Sequence, residues 1–239
     1  MRLIRNLVKK MSSNGKPLIP NTLENRPFTV VVEGNMGCGK TTFLERFKGK
    51  SNICVLSEPV ENWRNVNGHN LLHLMYENPE TWSFTFQSYV QLTMLQNHLL
   101  PTTCAVKIME RSIYSARYCF VEKLTRDGVL PLPSAAVMDS WFKWILQQNF
   151  VQVDLLIYLR SSPEVAYERI LKRKRPEENM VSLDYVKYLH EIHENWLYFK
   201  TLFTCPAPIL VLNADQSTLD VHAEYEKWKP DFFRKTLNN

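Results

Sequence analysis

The chain has 239 residues, 45% of them hydrophobic and 22% charged, with a net charge of +5. That length suits one α/β domain better than two, and the composition is that of an ordinary globular protein with enough apolar residues for a full core. The mild positive balance suits an anionic ligand such as a nucleotide, but without a long basic stripe it gives no case for a nucleic-acid polymer as partner.

Five cysteines, an odd number with no CxxC pair, argue against a disulfide framework or a zinc ribbon and for a reducing compartment. No apolar run reaches the roughly 18 residues of a membrane span, so no membrane association is expected.

In chain order, residues 1–27 come first. Arg2, Arg5, Lys9, Lys10, Lys16 and Arg26 occur there with a single acid, Glu24, and Leu3, Ile4, Leu7 and Val8 could share one helical face. Two readings stay open, a mitochondrial presequence and a basic tail without fixed structure. The expected location is intracellular, mitochondrial or cytoplasmic, and the folded domain is expected over residues 28–239.

Five short continuous apolar runs follow: Phe28–Val32, Ile53–Leu56, Ala105–Met109, Leu155–Leu159 and Ile209–Leu212. Continuous runs predict strands buried on both faces. Helical stretches are predicted over Thr41–Lys48, Trp82–Leu100, Ser115–Leu124, Ala135–Asn149, Pro163–Arg173, Leu183–Leu197 and Val221–Trp228. Strands alternating with helices predict a parallel sheet covered on both faces, with ligands beyond the carboxyl ends of its strands.

The first run leads straight into Gly34-Asn35-Met36-Gly37-Cys38-Gly39-Lys40-Thr41-Thr42, which matches GxxxxGK[ST] with a strand before and a helix after. Backbone N–H groups of such a loop cradle phosphate oxygens. Lys40 is placed to reach the β- and γ-phosphates of ATP, and the Thr41 hydroxyl to ligate Mg²⁺. Cys38, near a helix N-terminus, is read as an oxidisable thiol.

Glu33, Glu58 and Glu110 sit at carboxyl ends of strands, where phosphoryl transfer needs a proton acceptor and a metal partner. On position alone Glu58 is a candidate base and Glu110 a candidate magnesium partner, and solvated strand-end acids remain the alternative for both. Asp154 opens its strand, at the wrong end for catalysis. Arg169, Lys172, Arg173, Lys174 and Arg175 form a basic lid over residues 169–178 that could close on the triphosphate. His190 and His193 lie three apart rather than in the HExxH spacing, and are read as surface or packing residues.

Taken together, several segments resemble the deoxyribonucleoside kinase family: Glu33-Gly34-Asn35 with the glycine loop, Glu58-Pro59-Val60 with Trp63-Arg64-Asn65-Val66, Gln87-Ser88-Tyr89-Val90, Glu110-Arg111-Ser112 with Ser115-Ala116-Arg117-Tyr118, and Arg173-Lys174-Arg175-Pro176-Glu177-Glu178. The likeness spans residues 27–215 and is strongest to the insect multisubstrate members and the mitochondrial thymidine-accepting members of animals.

The resemblance implies a three-layer α/β/α P-loop kinase fold with a five-stranded parallel sheet. It also implies ATP-dependent phosphorylation of a deoxyribonucleoside 5′-hydroxyl in nucleotide salvage, and a homodimer to which Trp141 and Trp144 could contribute, although core packing explains those tryptophans as well. It makes Glu58 the base, Arg111 its partner at the 5′-oxygen, and Arg173 and Arg175 the lid arginines. Gln87 reads the base edge, Trp63 and Phe120 wall the base, and Tyr76 and Glu178 hold the 3′-hydroxyl. Met75 completes the nucleoside site. Val90, Met94 and Ala116 surround the pyrimidine 5-substituent, and their lack of charge points to the thymidine-accepting branch.

Three rival readings remain: a catalytically dead scaffold subunit of the same fold, a nucleoside monophosphate kinase, and a P-loop switch. The intact catalytic set argues against the first. A base carboxylate facing a dianionic acceptor argues against the second. No guanine-specificity motif supports the third.

Overall fold

The computed structural model describes residues 26–237. The basic residues 2–16 and their apolar face therefore lie outside the described residues. Arg26, grouped with them in the sequence, belongs to the folded domain: its guanidinium holds both oxygens of Asp154 at 2.5 Å. Asp154 also accepts from Thr29 N at 2.7 Å, a structural role at the amino end of the sheet.

All five predicted strands form: β1 (Phe28–Glu33), β2 (Ile53–Leu56), β3 (Val106–Glu110), β4 (Leu155–Arg160) and β5 (Ile209–Asn213). They make one parallel sheet in the order β2-β3-β1-β4-β5. Alternate residues of one strand feed opposite layers. Val31, Met109, Leu156 and Tyr158 face one core; Val30, Val32, Ile108, Leu155, Ile157 and Leu159 face the other. Burial on both faces holds for β1, β3 and β4, but not for the edge strands. β2 is only partly buried throughout, and β5 alternates, because an edge strand lacks a neighbour on one side.

The helices are α1 (Lys40–Glu45), α2 (Val60–Arg64), α3 (Leu71–Glu77), α4 (Pro79–Leu99), α5 (Ile113–Ser115), α6 (Glu122–Arg126), α7 (Leu132–Gln147), α8 (Pro163–Arg173), α9 (Leu183–His193) and α10 (Thr218–Leu237). The short α2 and α3 are additions to the sequence reading. Asn70 and Asn78 cap α3 and α4 by accepting from His73 N and Thr81 N. Two expected regular helices contain π-helical turns, at Ala116–Val121 and Glu194–Tyr198.

Trp141 and Trp144 on α7 are 61% and 50% exposed, which removes core packing as their explanation. Trp196, by contrast, is fully buried. Among the described residues no helix is long and apolar enough to cross a membrane.

Candidate active site

β1 delivers the chain into the glycine loop at the carboxyl edge of the sheet. At Gly37, with φ +73°, a Cβ would lie 2.2 Å from the Ala166 carbonyl oxygen of α8, so only glycine fits. Asn35 braces the loop: its Nδ2 donates to Val186 O of α9 at 2.8 Å, and its Oδ1 accepts from Met36 N at 2.8 Å. Lys40 Nζ donates to the carbonyls of Gly34 (3.1 Å) and Asn35 (2.7 Å). Burial, and then the nearby charge of Arg111, lower the lysine's pKa. Cys38 is 2% exposed, so the accessibility that oxidation requires is missing at this thiol.

In-register pairing places Val32 beside Glu110, bringing the strand-end acids to one level. Thr41 Oγ1 donates to Glu110 Oε1 at 2.8 Å. Glu58 follows β2, and its Oε1 lies 3.2 Å from Arg111 Nε. Burial raises the Glu58 pKa, Arg111 opposes that rise, and Glu110 adds to it. Arg111 is 4% exposed and has φ +60°. Its guanidinium carbon lies 4.8 Å from the centre of the Phe120 ring. Burial works against the Arg111 charge, and Glu58 and Glu33 more than restore it, so the guanidinium pKa is raised.

One cavity of about 550 Å³ joins the glycine loop to this acid–base pair and to the face of α4. That size suits a small organic ligand. Gln87 lines it, is 3% exposed, and has an Oε1 with no hydrogen-bond partner. Trp63 is fixed by Nε1–H donating to Thr93 Oγ1 at 2.9 Å and by edge contact with Phe86, ring centres 5.7 Å apart. Met36, Met75, Tyr76, Val90, Met94, Ala116 and Phe120 complete the apolar wall. The π-helical turn carries both Ala116 and Phe120. Burial pushes the Tyr76 hydroxyl pKa up, so it stays a neutral hydrogen-bonding group.

The expected lid segment, from α8 into the following 3₁₀ turn, Pro176–Met180, lines this cavity on one side. Arg173 Nε donates to Glu178 Oε2 at 2.6 Å, its Nη2 also bonds Glu178, and Arg175 Nη1 lies 3.7 Å from Glu178. The predicted sugar-binding acid and the two lid arginines thus form one cluster. Arg173, Arg175 and Arg169 reach the cavity, while Arg169 also donates to Ala214 O at 2.8 Å. Lys172 and Lys174 do not line it.

Two features escaped the sequence. Arg64 of α2 reaches Glu177 of the lid with Nε at 2.7 Å and Nη2 at 3.0 Å. Glu33, noted only for its position, is completely buried and accepts from Ser112 Oγ at 2.5 Å. Its place at the end of the central strand was the available signal.

His193 is a core residue. Its Nδ1 lies 2.6 Å from Leu189 O, its ring stacks on Tyr158, and burial lowers its pKa to about 3. Among the described residues no group of three or more His, Cys, Asp or Glu side chains could hold a metal. Thr41 and Glu110 nevertheless present a hydroxyl and a carboxylate together at the loop. That oxygen donor set fits a magnesium ion whose remaining ligands are water and phosphate.

Comparison with known proteins matches residues 30–231 to the deoxynucleoside kinase family. The chain is 50% identical over 186 residues to mitochondrial thymidine kinase 2 of Homo sapiens, covering 78% of this chain and 70% of the relative. It is 34% identical to deoxycytidine kinase of Homo sapiens (80% and 85% covered) and 32% identical to deoxycytidine kinase 2 of Gallus gallus (83% and 86%).

Proposed function

The chain belongs to the deoxynucleoside kinase family, and from that premise we propose that it transfers the γ-phosphate of ATP to the 5′-hydroxyl of thymidine and deoxycytidine. The observation that carries this reading is the cavity in which the glycine loop, the Glu58–Arg111 pair and the unpartnered Gln87 Oε1 meet.

ATP lies with its phosphates on residues 34–42, and Lys40 leaves its own loop carbonyls for the phosphate oxygens. The Gln87 amide pairs with adjacent donor and acceptor groups on a pyrimidine edge. The uncharged Val90, Met94 and Ala116 leave room for a 5-methyl group. Tyr76 and Glu178 hold the 3′-hydroxyl. Arg111 fixes the 5′-oxygen, and Glu58 accepts its proton as that oxygen attacks the γ-phosphorus in line. The bond from phosphorus to the β–γ bridging oxygen breaks, and ADP leaves with the electron pair. Arg173 and Arg175 offset the charge spreading over the phosphoryl oxygens.

Thr41 and Glu110 would hold Mg²⁺, which would neutralise phosphate charge there. We assign residues 28–239 to the kinase domain, with a lid over 169–178, and residues 1–27 to an extension whose last residues are anchored to the domain through Arg26 and Asp154. The mitochondrial relative and that basic extension support a mitochondrial site of action, with the cytoplasm as the alternative. The exposed Trp141 and Trp144 support a homodimer through α7.

The test is ATP-dependent transfer to a panel of deoxyribonucleosides, with uridine and thymidine monophosphate as controls. Transfer to thymidine and deoxycytidine but to neither control is expected. ATP binding without transfer to any nucleoside would instead indicate a scaffold subunit.

A further inference from the structure

Glu33 stands where the interior of the sheet meets the reacting groups. It ends β1 with no exposed surface, and none of the steps above uses it. Its Oε1 accepts from Ser112 Oγ at 2.5 Å, while its Oε2 has no hydrogen-bond partner. The next strand brings Arg111 alongside: Arg111 N donates to Val32 O at 3.0 Å, extending the β1–β3 ladder by one residue. At that residue the backbone turns to φ +60°. Ser112 then opens α5 with a capping box, its Oγ accepting from Tyr114 N and Ser115 N, and Ser115 Oγ accepting from Ser112 N. Arg111 also leaves Nε and Nη1 without a hydrogen-bond partner among buried atoms. Glu33 Oε2 and Arg111 Nη1 are thus buried without a partner, while Arg111 Nε keeps only its 3.2 Å approach to Glu58 Oε1.

Were Glu33 only a cap for Ser112, an amide would accept the same hydrogen bond without the cost of burying a charge. The burial cost appears in its proton affinity. Burial raises the Glu33 pKa to about 7, and the strongest opposing influence is Arg111, followed by the Ser112 and Ser115 hydroxyls and Lys40. The charge of Glu33 has an object, the guanidinium on the neighbouring strand.

We infer that Glu33 is a positioning residue for phosphoryl transfer, its buried carboxylate holding Arg111 and the Ser112 turn so that the guanidinium faces Glu58 and the acceptor oxygen. This rests on the reading of Arg111 as the partner of Glu58. Arg111 already pairs with one oxygen of Glu58, Nε to Oε1 at 3.2 Å, and the opposing pull of Glu33 keeps the guanidinium from taking the second, so Glu58 keeps an oxygen for the incoming proton. Glu33 meets neither nucleoside nor ATP and acts through Arg111 alone.

The test is a double-mutant cycle on the full chain, reading thymidine phosphorylation with saturating Mg·ATP. Glu33→Gln is expected to lower kcat about tenfold or more while thymidine KM stays within about threefold. In an Arg111→Ala background the same change is expected to cost less than about twofold, since the group through which it acts is gone. Glu33→Asp, which keeps the charge, is expected to recover part of the lost kcat.

An unchanged kcat in Glu33→Gln overturns the inference. So does an equal loss in both backgrounds, which marks a purely structural role. Should Glu33→Gln fail to fold, Ser112→Ala enters the same cycle with the same expected non-additivity, and additivity there is equally decisive. Full activity in Arg111→Ala would remove the Arg111 reading itself. Loss there with an additive cycle removes only the role of Glu33.

Discussion

Arg64 and Glu177 tie α2 to the 3₁₀ turn Pro176–Met180, two nitrogens of the guanidinium reaching both carboxylate oxygens at 2.7 and 3.0 Å. Arg64 belongs to the same turn of helix as Trp63, and Glu177 adjoins Glu178, so the pair joins a residue proposed to wall the base to one proposed to hold the sugar. The hydrogen bonds that Arg64 donates to Glu177 raise the arginine's pKa and lower the acid's. A bidentate, partly buried pair of this kind holds geometry better than an exposed one. Arg64→Ala is expected to raise thymidine KM about three- to tenfold with a smaller change in kcat. Steady-state kinetics check this, and the swapped pair Arg64→Glu with Glu177→Arg should recover part of the loss.

Removing the proposed base gives the opposite pattern. Glu58→Gln keeps the size of the side chain and its approach to Arg111 but cannot accept a proton. Turnover is expected to fall by roughly a hundredfold or more with the fold retained. Near-normal turnover would place the base elsewhere.

Gln87 is already buried and short of one partner, so its truncation should act on binding. Gln87→Ala is expected to raise KM for thymidine and deoxycytidine by about tenfold or more, more than it lowers kcat. Isothermal titration of the nucleoside gives an independent reading.

Glu33 makes stability depend on pH in an unusual direction. Its folded pKa, about 7, lies above the ordinary 4.5, so between these values the folded state binds the extra proton. The carboxyl therefore favours folding least when ionised, and stability is lost as pH rises from about 4.5 through 7. Glu33→Gln mimics the protonated acid, and is expected to be more stable than the parent by on the order of 3 kcal/mol at pH 8, with the gap closing near pH 5. Thermal melts at the two pH values decide it. A gain in stability together with a fall in kcat would mark the residue as kept for function.

On the surface, Trp141 and Trp144 share α7 with the exposed Leu132 and Val137. Replacing both tryptophans with lysine is expected to convert a dimer to a monomer in sedimentation velocity, with the fold retained. An unshifted sedimentation coefficient would move the interface off α7.

Most of the sheet was legible because each strand is an uninterrupted apolar run of its own. The exposure of β2 and β5 was not, since strand order depends on pairings between distant segments. The short α2 and α3 gave too few turns for a periodic signal, and the π-helical turns add a residue that spacing rules for regular helices pass over. At the site, the glycine loop and the acids at strand ends were readable from local motif and position. The Arg64–Glu177 clasp was not, because 113 residues separate its partners. Glu33 was in view, but the meaning of its charge depends on Arg111 of the adjacent strand.

The resting position of Lys40 has a thermodynamic consequence. Because its ammonium already lies on the carbonyls of Gly34 and Asn35, nucleotide binding is a substitution of one set of oxygen partners for another. Only the difference between the two sets contributes to affinity, while the loop is spared the entropy of being wound on arrival. The exchange lowers the net gain in affinity from Lys40, which suits a catalyst that must empty after every turnover.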